Sequence, residues 1–293
     1  MRSALRARAA TADDASSATV VGEINGDTDW GPALQDVDTV VHLAALAHVD
    51  TRRVPDAEAT YRGVNTEGTL RLADSAMRAG VRRFVFVSSV KVNGEDSGAR
   101  PFAVGDVPAP TDPYGISKLA AERGLQSLGG SPMRIAIVRP PLVYGPGVRA
   151  NFLRLMDLVE SGLPLPFASI DNRRSLVSVE NLCDLLLHLA TDAAAEEGTF
   201  FASDGEDLSP PELIRRIARA LGRPARLFRF PCSTLAFAAA AVGHAETFAR
   251  LRGSLQVDLS ETRSRLAWSP PVTVDQALAR TARWYRTRAP EAS

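Results

Sequence analysis

Arg83-Phe84-Val85-Phe86-Val87, running straight into Ser88-Ser89, decides the fold of this chain. Five residues with no polar alternation, ended by two hydroxyls, read as a strand buried on both faces, the pattern of a parallel sheet. Upstream, Asp38-Thr39-Val40-Val41-His42-Leu43 is a second such run, rich in β-branched residues. Between the two lies a helix-length segment, Asn65 to Ala79, with Leu70, Ala73 and Met77 on one face and Gly80 as its stop. Downstream, Tyr114 to Leu128 has a helical pattern closed by Gly129-Gly130, and Arg134-Ile135-Ala136-Ile137-Val138 is a third buried strand. Strands alternating with helices across short connections predict an α/β fold, a doubly wound parallel sheet.

Beyond about residue 150 the spacing becomes mainly helical: Asn151–Ser161, Val179–Thr191, Ser209–Leu221 and Val274–Arg286. Ser209-Pro210-Pro211-Glu212 has the form of a capping box, and Gly222 ends that helix. The 293 residues carry 34 basic and 34 acidic side chains, a formal net charge of zero. That balance argues against a nucleic-acid partner, which needs a cationic excess to work against phosphates. The longest strongly apolar run, Leu235–Val242, is eight residues, far short of the ~18 that span a bilayer. The basic, alanine-rich start has no apolar stretch after it, so no targeting signal is expected. Two cysteines, Cys183 and Cys232, fit small buried hydrophobes in a reducing cytoplasm rather than a disulfide framework. His42, His48, His188 and His244 show no ligand spacing, and no metal is expected.

The chain's chemistry concentrates on its only two lysines, Lys91 and Lys118. Tyr114-Gly115-Ile116-Ser117-Lys118 places a phenol and an ammonium one helical turn apart on one face. A cation close to a tyrosine favours the phenolate, bringing a group with a pKa of about 10 toward the range of a general base. Ser88-Ser89 ends a strand of the parallel sheet, the edge at which open α/β sheets bind ligands, and Lys91 follows two residues later.

Val41-His42-Leu43-Ala44-Ala45, Asn65-Thr66-Glu67-Gly68-Thr69, Phe84 to Ser89, Tyr114–Lys118 and Arg139-Pro140-Pro141-Leu142-Val143-Tyr144-Gly145-Pro146-Gly147 occur in the order of the extended short-chain dehydrogenase/reductases. The chain most resembles their nucleotide-sugar epimerase/dehydratase branch. Ser88 to Glu95 and Asp171 to Val177 resemble bacterial enzymes that act on UDP-N-acetylhexosamines in surface-polysaccharide synthesis. The resemblance implies a Rossmann-like cofactor-binding domain over 1–150, and a smaller helical substrate lobe over 151–293 from which about 174–205 returns to the first domain. It implies Ser89, Tyr114 and Lys118 as catalytic residues: Ser89 orients the sugar hydroxyl, Tyr114 is the acid/base, and Lys118 lowers the tyrosine and binds the nicotinamide ribose. Glu23-Ile24, Leu43, Ala44, Ala45, Pro141 and Val143, with Tyr114 and Lys118, match the cofactor walls. Ser88, Lys91, Asn151, Arg174 and Arg252 match substrate positions, Arg174 at a diphosphate. The implied activity is hydride transfer at sugar C4 with a UDP-sugar, by an epimerase or a dehydrogenase/reductase; a helix-paired homodimer is usual for the family.

Two departures qualify this. No two of the 21 glycines stand three apart, so the glycine-rich phosphate loop, and with it the family's first βα unit, is expected to be missing from the sequence given. Either the coding start lies upstream, or the chain is a relative that has lost cofactor binding and serves as a binding or regulatory protein. The second strand is expected around Leu5-Arg6-Ala7-Arg8, which carries no acid for the NAD ribose and leaves NADP open. In addition, Leu142 stands where many sugar epimerases carry an asparagine.

Overall fold

The computed structural model describes residues 6–8, 18–47, 56–128, 132–192, 194–241, 243 and 252–288. The chain divides into two compact units, one of 1–94, 107–139 and 186–200, the other of 95–106, 140–185 and 201–293.

The first unit holds a four-stranded sheet in the order β3 (Thr39–His42), β4 (Arg83–Val87), β5 (Arg134–Arg139) and β8 (Gly198–Phe201). β3 and β4 pair in parallel with Val40 opposite Phe84, as do β4 and β5 with Phe86 opposite Ile137. Phe84, Val85 and Phe86 are all buried, as an unalternating apolar run requires. Leu72, Ala73 and Ala76 join Phe84, Phe86, Leu125 and Ile137 in this core. β1 (Arg6–Arg8) is a strand but not part of the parallel sheet. It pairs antiparallel with β2 (Ala18–Val20) in a separate two-stranded sheet, which corrects the expectation for Leu5–Arg8; Leu5 itself lies outside the described residues.

The helix expected over Asn65–Ala79 begins earlier. Asp56 caps α1 (Ala57–Tyr61) by accepting from the Ala59 N–H at 2.8 Å. A π-helical stretch, Arg62–Glu67, then leads into α2 (Gly68–Arg78). A Cβ on Gly68 would stand 2.5 Å from Ile24 Cγ2, so a glycine is needed where this helix meets the core. α3 (Pro113–Ser127) follows the expected span closely.

The second unit builds on a three-stranded sheet, β6 (Leu142–Tyr144), β7 (Arg174–Ser178) and β9 (Asp207–Leu208), with β6 and β7 parallel. Helices α4 (Ala150–Glu160), α6 (Pro210–Leu221) and α9 (Val274–Thr287) share its core, in which Phe152, Met156, Ile214, Ile217 and Leu278 are buried. The capping box at Ser209 forms: Glu212 accepts from the Ser209 N–H at 3.0 Å, while its own N–H reaches Ser209 Oγ at 3.4 Å. The remaining helices are α5 (Val179–Thr191), α7 (Cys232–Ala241) and α8 (Ser260–Leu266). The expectation of buried cysteines fails. Cys183 is exposed because Leu182, Leu185, Leu186 and Leu189 take the buried face of α5, and Cys232 is half-buried at the start of α7.

Candidate active site

β4 ends with the Ser88 N–H donating to the Val138 carbonyl at 2.7 Å. The Ser88 side chain is buried, and its Oγ has no hydrogen-bond partner among the described residues. Ser89 then caps a single 3₁₀ turn, Val90–Val92, its Oγ accepting from the Lys91 N–H at 3.3 Å. Opposite stands the amino end of α3, where Asp112 is the N-cap and accepts from the Gly115 N–H at 2.6 Å. The approach is close. A Cβ on Gly115 would fall 2.9 Å from the Lys91 carbonyl oxygen, so the Gly between Tyr114 and Ile116 permits the contact.

Tyr114 is half-buried, its hydroxyl hydrogen-bonded to the Ser89 side chain and its ring edge-on to Tyr61 at 6.1 Å. Burial raises the Tyr114 phenol above its ordinary value; the Ser89 hydrogen bond and the Lys91 charge work the other way. Lys91 itself is ion-paired to Asp112. Lys118 lies deeper than its spacing suggests. It is 1% exposed, donates to the Val87 carbonyl at 2.6 Å and stands 4.0 Å from the Phe86 ring centroid. Burial lowers this ammonium to about 7, against the opposing charge of Glu122. Burial holds the phenol up, and Lys91 is a cation that works against it.

Asn65, in the π-helical stretch, was given no role by sequence reasoning. Its side chain accepts from the Leu46 N–H at 2.8 Å and donates to the Leu46 carbonyl at 3.0 Å and to Ser117 Oγ at 3.0 Å. One fully buried amide thus ties the segment after β3 to the helix bearing Tyr114. The signal was available in Asn65-Thr66-Glu67-Gly68-Thr69, but its partners are distant in the chain.

The family model for NAD dependent epimerase/dehydratase proteins matches residues 2–201, more than half of the chain. The chain belongs to this family. A UDP-glucose 4-epimerase of Vibrio cholerae is 44% identical over 265 residues, which cover 89% of this chain and 81% of that protein. Among solved structures, MoeE5 in complex with UDP-glucose and NAD shares 25% identity with a TM-score of 0.70, covering 90% of this chain and 84% of that one. The Bordetella bronchiseptica enzyme WbmG in complex with NAD shares 22% with a TM-score of 0.67, covering 85% and 72%. Membership of an NAD-dependent enzyme family places this chain among nucleotide-sugar epimerases and dehydratases.

The strand ends of the first unit carry several of the residues that the sequence matched to substrate and cofactor positions. Ser88 Oγ is a buried hydroxyl without a hydrogen-bond partner among the described residues, and Leu43 leaves 63% of its surface exposed just past β3. Ala44 and Ala45 are half-buried beside it. Glu23 is exposed, whereas Ile24 is packed into the core.

In the second unit, Pro141 is buried and Val143 half-buried at β6, and Asn151 is exposed on the first turn of α4. Arg174, half-buried at the start of β7, donates to the Gly253 carbonyl at 2.9 Å, next to the exposed Arg252. Burial lowers the Arg174 guanidinium, and the carboxylates of Glu95 and Asp96 oppose it. Among the described residues no cluster of His, Cys, Asp or Glu could hold a metal ion, and no helix is long and apolar enough to cross a membrane. His48 and His244 lie outside the described residues.

Two buried bases give the first unit a pH signature. His42, hydrogen-bonded to Thr69 Oγ1 at 2.9 Å and stacked on Phe86, is lowered by burial from 6.5 to about 3. Lys118 is lowered from 10.5 to about 7. In both windows, 3 to 6.5 and 7 to 10.5, the unfolded chain binds more protons, so stability rises with pH. Urea unfolding at a series of pH values should show the folding free energy climbing by a few kcal/mol across each window. His42→Phe should flatten the acid window alone; an unchanged slope there would assign it to other groups.

Proposed function

We propose that this protein is a UDP-sugar 4-epimerase, in which Tyr114 carries the proton and Ser89 orients the sugar hydroxyl. The observation that carries this reading is the 44% identity with the Vibrio cholerae UDP-glucose 4-epimerase over most of both chains. The hydrogen bond between Ser89 and Tyr114 supports the assignment of roles. Tyr114 takes the proton of the C4 hydroxyl as the C4–H bond breaks. It returns that proton when hydride comes back to the opposite face of C4. When bound, NAD supplies the acceptor and the donor of that hydride.

Leu43, Ala44, Ala45 and Lys118, with Pro141 and Val143, are the residues we assign to the dinucleotide. Ser88 and Asn151 are assigned to the nucleotide sugar, and Arg174 and Arg252 to its diphosphate, a task suited to guanidinium geometry. A UDP-hexose epimer is the activated form that glycosyltransferases consume, which supports a place in surface-polysaccharide synthesis.

Incubating the protein with UDP-galactose and NAD should yield UDP-glucose, followed by chromatography of the nucleotide sugars, with the UDP-N-acetylhexosamine pair run in parallel. No interconversion of either pair would overturn the epimerase reading.

A further inference from the structure

We propose that α7 and the segment leading into it form a docking surface for an anionic lipid bilayer, on which Phe237 enters the interface and Arg226 and Arg229 meet lipid phosphates. The inference is independent of the epimerase reading, since it calls on none of the residues assigned to sugar or cofactor.

α7 has the composition of a buried helix in an exposed place. From Leu235 to Ala241 every residue is apolar, and the whole helix carries no charge. A helix without a charged face is normally covered all round. Here Phe237 leaves 78% of its surface exposed, Ala240 and Ala241 are exposed too, and Leu235 and Ala236 are only half-buried. The start of α7 adjoins a second apolar stretch. Leu165 and Leu227 pair in parallel, the Phe228 N–H donates to the Leu165 carbonyl at 3.1 Å, and Cys232 Sγ reaches the Ser169 carbonyl at 3.8 Å. That brings the exposed Leu163 and Phe228 into the same region of the second unit. Scattered exposed apolar residues are ordinary, but a group of them around an uncharged helix marks an interaction surface.

Charge points to the occupant. Neither 161–170 nor 213–245 contains an acidic residue, while 213–245 contains six arginines, in a chain whose 34 basic and 34 acidic residues balance. Arg216, Arg219 and Arg223 are ion-paired to carboxylates from elsewhere in the second unit. Arg226 and Arg229, exposed on the segment that leads into α7, have no ion-pair partner among the described residues. A second copy seated face to face would set these arginines against their own symmetry mates, with no carboxylate nearby in sequence to answer them. A bilayer with anionic headgroups answers both halves of the surface, with phosphates for the guanidinium groups and acyl chains for Phe237. At ten residues α7 is about 15 Å long, against a bilayer core of about 30 Å, so it lies in the interface rather than crossing it.

The test is co-sedimentation of the whole chain with vesicles of phosphatidylcholine alone and of phosphatidylcholine mixed with phosphatidylglycerol. Binding is expected to the mixed vesicles, and it should fall away as salt is raised. Phe237→Asp should weaken it by about tenfold or more, the loss expected for one phenylalanine returned to water. Arg226→Gln and Arg229→Gln should each weaken it by about fivefold. Arg78→Gln together with Arg82→Gln, exposed arginines of the first unit paired to Asp74 and Asp38, should leave it unchanged. Urea unfolding identifies the folded variants, and Phe237→Ser repeats the measurement if Phe237→Asp does not fold. Equal sedimentation with both kinds of vesicle, or with neither, would overturn the proposal. So would a loss in the Arg78/Arg82 variant as large as in the Arg226 or Arg229 variants, which would mean that charge anywhere on the surface suffices. A dimer in sedimentation velocity that Phe237→Asp dissociates would also overturn it, by making a second copy the occupant.

Discussion

Tyr114→Phe is expected to lower kcat for UDP-sugar epimerisation by about 10²- to 10⁴-fold, the range that a positioned general acid/base contributes. The substitution removes one oxygen from a ring that stays edge-on to Tyr61, so the packing around it survives. What is lost structurally is the hydrogen bond to Ser89, worth about 1 kcal/mol, and the melting temperature should move by only a few degrees. KM should change far less than kcat, because the phenol acts on the proton in flight rather than on ground-state binding. Ser89→Ala should reduce kcat by a smaller factor, since it leaves the base in place and removes only its orienting partner. Initial rates with saturating UDP-galactose separate these outcomes. Activity above about a tenth of wild type in Tyr114→Phe would mean that another group moves the proton.

Much of what places this site could be read from local pattern. β4 and the helix after it follow from an unbroken apolar run, a Pro at the first helical position and a 3.6-residue period, all properties of neighbouring residues. The Ser209 capping box is similarly local and forms as its spacing indicates. The fine electrostatics could not be read this way. Spacing puts Tyr114 and Lys118 on one helix face, but where a long lysine side chain ends depends on the acceptor it finds. Here that acceptor is the Val87 carbonyl, on a strand 31 positions earlier in sequence. Lys91 reaches Asp112 across 21 positions, and Asn65 reaches Ser117 across 52. Such pairings become visible only when the topology is known, because the sheet order brings the elements together. The exposed Cys183 has the opposite lesson. A residue type that is usually buried was placed outward by the leucine stripe of its own helix, and that stripe was present in the sequence.

The largest expected loss of stability comes from Glu122→Ala. Glu122 is 1% and Arg139 5% exposed, and they face each other at 3.0 Å through Nε and 2.5 Å through Nη2. Arg139 Nη1 completes the group by donating to Asn93 Oδ1 at 3.1 Å. A buried pair of this kind adds little over an apolar pair of equal volume, but breaking it strands a guanidinium in the core and costs about 3–5 kcal/mol. Against a total stability of about 5–15 kcal/mol, that is enough to bring the midpoint of urea unfolding sharply down. The double variant Glu122→Leu/Arg139→Met should recover much of the loss, because no charge is left unpaired. If the double variant unfolds no later than Glu122→Ala, the loss lies in packing rather than in the stranded charge. The same carboxylate opposes burial at Lys118, one turn earlier on α3. Glu122→Gln, which keeps the shape and removes the charge, should therefore lower the Lys118 ammonium further while destabilising the unit. The Glu122–Arg139 pair thus links the fold's stability to the charge state of the lysine one turn earlier on the same helix.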